Sequence, residues 1–497
     1  MNLFKWMQRP LKYSAFSPLI QTCLQPLTSL CYGLTMVTTA TLFFATTACS
    51  AKPVKSFRYR TIFEADHAVG NPAGGIWAWG GPPTWSTQVV HRNGFIYAIR
   101  VDADLDAVLV KIDFNGNLIQ RYQFSGPGFV DGKVHDDSHN HCSIGIDKNN
   151  YIHAACNMHS GDPGLGWTYY ISDAPENIAS FTYRGGQYNR EMGRGTSLLG
   201  LADRRISYPN FQTNRRGELY LTYRGATRTA WEPGYFGGHL ARYDLRRRQA
   251  LGTWKHFGVD PYPEDGVLAQ AIVWTDWGRG KTENPGPYQN YRGGPLFFDR
   301  RDRMHLAWIQ YGRGSKPITL TTVGASHGLY AFSNDNGRTF RQVDGTVHNF
   351  ATDGPINEFN SQLFDVAIPG AFGTQTFAGA TADGRPIVNY VINKRGNVMR
   401  IWNGSTWGPV LDLPGRDSLH SKRLISTHDG ILITQDKVSQ DRYRFWRSHD
   451  LGQTWQSYPV PHRLGSLDMA YLQQTGKLLY HSSRDGKFWI GLAEWER

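Results

Sequence analysis

The sequence predicts an all-β fold, a seven-bladed β-propeller in a single domain, and three observations carry that expectation. A turn rich in Gly, Asn or Asp, followed by a β-rich run, recurs seven times along the chain. A longer turn motif occurs twice in the C-terminal half. Composition agrees with both: 13% of the 497 residues are aromatic, 54 are Gly and 19% are charged, a balance that suits many short strands joined by turns better than long helices.

The seven copies are RNGFIYAIRV with its turn at Asn93, KNNYIHAACN at Lys148, RRGELYLTYR at Arg215, RDRMHLAWIQ at Arg301, DGRPIVNYV at Asp383, DGILITQD at Asp429 and TGKLLYHSS at Thr475. Their spacing of roughly 45 to 85 residues is that of propeller blades carrying loops of different length. No long amphipathic helical pattern interrupts them. A ring of blades removes its exposed edges by pairing strands from the two ends of the chain, so SFRYRTIFEA near residue 56 is expected to pair with FWIGLAEWER at the C-terminus. The propeller is placed over residues 52–497.

The longer motif is S-x-D-x-G-x-T-[W/F], the Asp-box, at Ser333–Phe340 (SNDNGRTF) and Ser448–Trp455 (SHDLGQTW). In such a turn the Asp and Ser side chains bond backbone groups, Gly supplies a positive φ, and the aromatic ring anchors the turn in its blade. Asp335 and Asp450 are therefore expected to be structural rather than catalytic acids.

Residues 1–51 differ from the rest. Lys5, Arg9 and Lys12 precede an apolar, charge-free run from Leu30 to Ala45 that ends in FFATTACSAK. The run reads as an export signal with a cleavage site before Lys52 rather than as a spanning helix. Cys49 would carry the lipid of a lipoprotein-type signal. Simple cleavage is favoured, because Thr46 stands where lipoprotein signals usually carry Leu. A secreted or cell-surface protein is expected. The formal charge of +12 and a pI near 9.4 favour an anionic partner, and export argues against nucleic acid. Beyond the leader, Cys142 and Cys156 stand nearly opposite one another in a hairpin. A cross-strand disulfide is geometrically allowed. Two buried free thiols are the preferred expectation, because a register error of one residue prevents the bond.

Two hairpins between His139 and Arg224 carry the chemistry. His139 and His159 are equidistant from Asn149, and Tyr208 and Arg224 are equidistant from Arg216. Residues directly opposite in an antiparallel pair have Cβ atoms about 5 Å apart, so each pair is expected to meet at the edge opposite its turn. His139 shares a strand face with His141 and Ser143, whereas Cys142 and Tyr223 point the other way. Histidine is a general base near neutral pH. A phenol can exchange a proton beside a cation, and Arg binds a carboxylate in a fork without losing its proton. Together they suit abstraction of a proton α to a carboxylate. The plainer readings are a structural strand histidine, a Tyr-Pro step that merely stiffens the start of a strand, and a surface Tyr-Arg pair.

HNHCSIGID…YIHAACNMH followed by SYPNF…GELYLTYRG, with late Asp-boxes, resembles the propeller-type ulvan lyases over essentially the whole chain after the leader. The resemblance implies β-elimination on ulvan, a sulfated polysaccharide of rhamnose 3-sulfate and uronic acids, at glucuronic or iduronic acid, leaving unsaturated uronate ends. By position it implies that His139 and Tyr208 move protons from opposite faces of the sugar, that Arg224 neutralises the uronate carboxylate, and that His159 binds or orients substrate. Tyr262 in VDPYPEDG is its candidate for a further substrate contact. The basic charge then holds an anionic chain, with Arg292 in NYRGGP and Arg313 in YGRG as candidate contacts against the plainer reading of solvated loop charges. The chemistry needs no cofactor. Some members bind a structural metal, zinc or calcium, whose ligands stay unassigned among His239, His256, His327 and His420. A monomer is expected. Two rivals remain. A sialidase-like hydrolase shares the Asp-boxes, but its arginine triad and Tyr-Glu pair find no motif here. A non-catalytic carbohydrate-binding propeller would keep the blades without the paired polar ends.

Overall fold

Six of the seven recurring turns join the first two strands of an antiparallel sheet, and the seventh, at Thr475, joins a short helix, Met469–Thr475, to the strand Leu478–Arg484. The protein is described from a computed structural model, which covers residues 56–68, 86–129, 131–134, 140–156, 168–189, 194–197, 205–226, 236–245, 250–259, 270–274, 296–310, 327–356, 360–368, 371–392, 395–415, 423–439 and 442–496. The leader with Cys49 lies outside them. Among the described residues no helix is long and apolar enough to cross a membrane.

Seven sheets form a seven-bladed β-propeller. Blade 1 is built from Val89–Arg92, Phe95–Val101, Ala107–Ile112 and Leu118–Phe124. Blade 2 uses Ser143–Ile146, Ile152–Ala155, Tyr169–Ala174 and Asn177–Tyr183. Blade 3 uses Arg205–Thr213, Leu219–Ala226, Phe236–Asp244 and Thr253–His256, with Val273–Trp274 added against its third strand. Blades 4, 5 and 6 start at Phe297–Phe298, Ala371–Ala380 and Ile425–Ser426. A small hairpin, Gly186–Asn189 with Arg194–Ser197, stands between blades 2 and 3.

Blade 7 closes the ring as expected. Ser56–Asp66 pairs antiparallel with Lys487–Glu496 from Ser56↔Glu496 to Asp66↔Lys487, with one irregularity between Thr61 and Phe63. Lys487–Glu496 in turn pairs with Leu478–Arg484. The innermost place is taken by residues 465–468, bonded through Gly465 N–H to His481 O at 2.8 Å and Asp468 N–H to Leu479 O at 3.1 Å.

Five of the turns share one chemistry, in which a single side-chain oxygen caps the turn. Asp147 Oδ1 accepts the N–H groups of Asn149 and Tyr151 at 2.8 and 3.0 Å. Asn214 does the same for Arg216 and Glu218, and Asp299 for Arg301 and Arg303. In blades 5 and 6 the hydroxyls of Thr381 and Thr427 accept from Arg385 and Ile431. These are Asx- and ST-type turns, in which the side chain mimics a backbone acceptor. In blades 2 and 4 the capping Asp also holds a buried histidine, His153 at 3.3 Å and His305 at 3.4 Å, and each ring reaches a Tyr through its Nδ1. These histidines are structural.

Both Asp-boxes connect outer strands. Asp335 accepts from Thr339 N–H and Oγ1 at 2.9 and 2.7 Å, and Asp450 from Thr454 N–H and Oγ1 at 2.9 and 2.5 Å. Gly337 and Gly452 have φ of 93° and 86° and donate N–H to the motif's serines. The core lies between blades. Seven apolar clusters, one for each junction including blade 7 against blade 1, hold the described residues together. A central cavity of about 380 Å³ opens among the first strands.

Candidate active site

The hairpin of blade 2 keeps the register centred on Asn149, from Ile146↔Ile152 to Ser143↔Ala155. One more step brings Cys142 opposite Cys156, and the two form a disulfide with Cα atoms 4.1 Å apart. The free-thiol expectation is thereby corrected. No bulge interrupts this ladder, so the one-residue slip that would have separated the thiols does not occur. Cys142, Ile144 and Ile146 face the core between blades 1 and 2. Ser143 and Gly145 face the other way, toward Phe211 of blade 3. His141 is buried at the upper end of this strand. His139 and His159 lie outside the described residues.

The hairpin of blade 3 keeps the register centred on Arg216 from Thr213↔Leu219 to Asn210↔Thr222, then shifts, so that Arg224 faces Ser207. The expectation that Tyr208 stands directly opposite Arg224 is corrected. Tyr208 and Pro209 form a bulge, and Tyr208 adopts a φ of 56°. Pro209 has no N–H to give the ladder, and a residue before proline is disfavoured in the right-handed helical region. A bulge re-aims the side chain it carries. Here it lays the Tyr208 ring against Arg224, whose guanidinium carbon is 4.6 Å from the ring centroid. Both side chains are buried, at 8% and 6% exposure, and Tyr223 is buried too, so the adjacent Tyr223–Arg224 step is no surface pair. A cation–π contact holds a phenol and a guanidinium together at the end of the hairpin away from its turn.

Tyr223 occupies the opposite face of the same strand, as alternation predicts. Its ring stacks on His239 at 4.8 Å and 7°, and its hydroxyl meets His256 Nδ1 at 3.2 Å. His239 Nδ1 donates to Gln270 O at 2.7 Å. Burial lowers the His239 pKa to about 3, so its ring is neutral. This aromatic layer supports the strand bearing Arg224. The sequence offered only the strand parity of Tyr223, with nothing to link it to residues 16 and 33 positions downstream.

Tyr262, Arg292 and Arg313 lie outside the described residues, as does His420. Among the described residues, one trio of acidic groups is close enough to hold an ion: Asp102, Asp104 and Asp106. Lys133 Nζ stands 2.8 Å from Asp106, and Arg121 lies 3.6 Å from Asp102. These two cations already offset much of the charge of the three carboxylates, so the trio does not recommend itself as a metal site. What the described residues assemble is a buried guanidinium stacked on a phenol ring.

The BNR repeat-containing family matches the chain over residues 96–410. No curated protein sequence matches it. Among solved structures, a PL25 ulvan lyase superposes with a TM-score of 0.56 at 14% identity, covering 87% of this chain and 95% of that one. A PL25 ulvan lyase bound to -[GlcA(1-4)Rha3S]- gives 0.55 at 13% identity, with the same coverage. The polysaccharide lyase Uly1 gives 0.54 at 13% identity, covering 89% and 99%. At such identities the likeness is one of fold.

Proposed function

Because the chain belongs to the BNR repeat-containing family and is a seven-bladed propeller like the ulvan lyases, we propose that it is a polysaccharide lyase acting on ulvan. The observation that carries the reading is the buried Tyr208–Arg224 contact. β-Elimination at a uronic acid removes the C5 proton, breaks the C4–O4 bond, forms a C4=C5 double bond and returns a proton to O4. Charge builds on the carboxylate as C5 loses its proton, and Arg224 is the group to neutralise it. Tyr208 is one proton carrier and His139 the other, exchanging roles between glucuronate and iduronate. In this reading His159, Tyr262 and Arg292 bind the chain. The structurally similar enzyme solved with -[GlcA(1-4)Rha3S]- motivates the choice of an anionic sulfated substrate, and the net charge of +12 suits it. The protein would be exported and act as a monomer, with no cofactor in the chemistry.

The test incubates the protein without its leader with ulvan and follows both ultraviolet absorbance of unsaturated uronate and reducing ends. Both should rise together. Reducing ends without absorbance would mean hydrolysis and sink the lyase reading. No change in either would leave a binding propeller.

A further inference from the structure

Tyr208 is held in a backbone conformation that a residue with a Cβ rarely adopts, and such conformations persist only where the surroundings over-determine them. The surroundings come from two other blades. Ser143 of blade 2 is fully buried. Its Oγ accepts the N–H of Thr87, just before blade 1, at 3.1 Å and the N–H of Phe211 in blade 3 at 3.2 Å, and donates to Thr87 O at 3.4 Å. Thr87 Oγ1 in turn donates to Asn210 Oδ1 at 2.8 Å. Asn210 and Phe211 immediately follow the Tyr208–Pro209 bulge, and Asn210 is where the regular ladder resumes. One hydroxyl thus ties three consecutive blades at the foot of the bulge.

We propose that Ser143, assisted by Thr87, is a positioning residue for Tyr208. The easiest relaxation of a bulge is a one-residue slip, which returns the extra residue to the ladder and sends its side chain to the opposite face. Pinning Phe211 N–H and Asn210 Oδ1 blocks that slip, so the phenol stays on the guanidinium of Arg224. Serine staples also occur elsewhere. Ser426 Oγ accepts Ala380 N–H at 3.1 Å between blades 6 and 5, and Ser466 Oγ accepts Gln88 N–H at 2.9 Å between blades 7 and 1. Those provide a control, because neither adjoins the bulge.

The inference rests on the lyase reading, and the test keeps the two apart. Ser143→Ala, Ser426→Ala and Tyr208→Phe are made singly, and Ser143→Ala is also combined with Tyr208→Phe. Displacing a catalytic group by about 1 Å can cost on the order of 100-fold, so Ser143→Ala should lower kcat at least about 10-fold with KM little changed. Ser426→Ala should keep the wild-type rate. On the Tyr208→Phe background, Ser143→Ala should cost nothing further, because the group it positions is already gone. Equal losses in the two serine variants, or full multiplicative losses in the double variant, would overturn the inference while leaving the lyase standing. If Ser143→Ala does not fold, Thr87→Val removes the bond to Asn210 and is carried through the same cycle with the same criteria. A wild-type protein that yields no unsaturated uronate sinks the lyase reading and this inference with it.

Discussion

Tyr208→Phe removes one oxygen and leaves everything else that the structure places around it. The ring still lies 4.6 Å from the Arg224 guanidinium, so a contact worth ~0.5–2 kcal/mol is retained. Phenylalanine carries the same Cβ, so the φ of 56° costs no more than before. Losing one hydroxyl should change stability by only about 1 kcal/mol. Proton transfer by a positioned side chain contributes about 10²–10⁴-fold, or roughly 3–5 kcal/mol of activation free energy at ~1.4 kcal/mol per decade. The expected result is a fall in kcat of that size with KM changed little, since the hydroxyl acts in the transition state. Initial rates of ultraviolet absorbance on ulvan measure the loss, and thermal unfolding of the same samples shows that the fold survives. A variant that melts with the wild type and turns over within about threefold of it would make Tyr208 a packing residue and refute the assignment.

Arg224→Lys keeps the charge but loses the planar fork and its stacking on Tyr208; kcat/KM should fall about 10- to 100-fold, and steady-state kinetics showing less than threefold would remove Arg224 from the site. Asp450→Ala deletes the acceptor for Thr454 N–H, Thr454 Oγ1 and Ser448 Oγ, which should cost ~1–3 kcal/mol in denaturant unfolding and leave kcat unchanged. His67 and His239 are buried neutral with pKa values lowered to about 3. The unfolded chain takes up protons below about pH 6.5 while the folded one does not, so their contribution is complete above that value and is lost as pH falls toward 3. Unfolding free energy measured across that window should decline, and His239→Gln should flatten part of the slope.

The blade count was legible because one turn chemistry repeats. The side chains of Asp147, Asn214, Asp299, Thr381 and Thr427 accept from the residue four positions on, and that spacing survives unequal loops. The blade 2 hairpin was legible in register for the same reason, but a ladder's freedom from bulges is not, and on that the Cys142–Cys156 disulfide depends. The blade 3 hairpin was legible up to Asn210 and no further. A bulge costs one residue of parity, and a Tyr-Pro step reads equally well as the stiff start of a straight strand. The contact of Tyr208 with Arg224 was anticipated, but as neighbours across a ladder rather than as stacked groups. The layer of His239 and His256 behind Tyr223 was not legible. It is assembled by the third and fourth strands of blade 3, and strand spacing in one hairpin carries no information about them.

The pairing of Ser56–Asp66 with Lys487–Glu496 also governs when the molecule can come into being. Ser56 Oγ donates to Glu496 across a sequence separation of 440 residues, and closing a flexible loop of that length costs roughly 5 kcal/mol in chain entropy. No partial chain emerging from the ribosome can complete blade 7 or its junction with blade 1, so ring closure waits for the last strand to be made. Contacts this far apart in sequence make folding slow, and the interval leaves the nascent chain open. Joining residue 496 to residue 56 and cutting at an exposed turn such as Gly404 would turn the longest-range pairing into a local one. Such a permuted chain should reach the same ring faster.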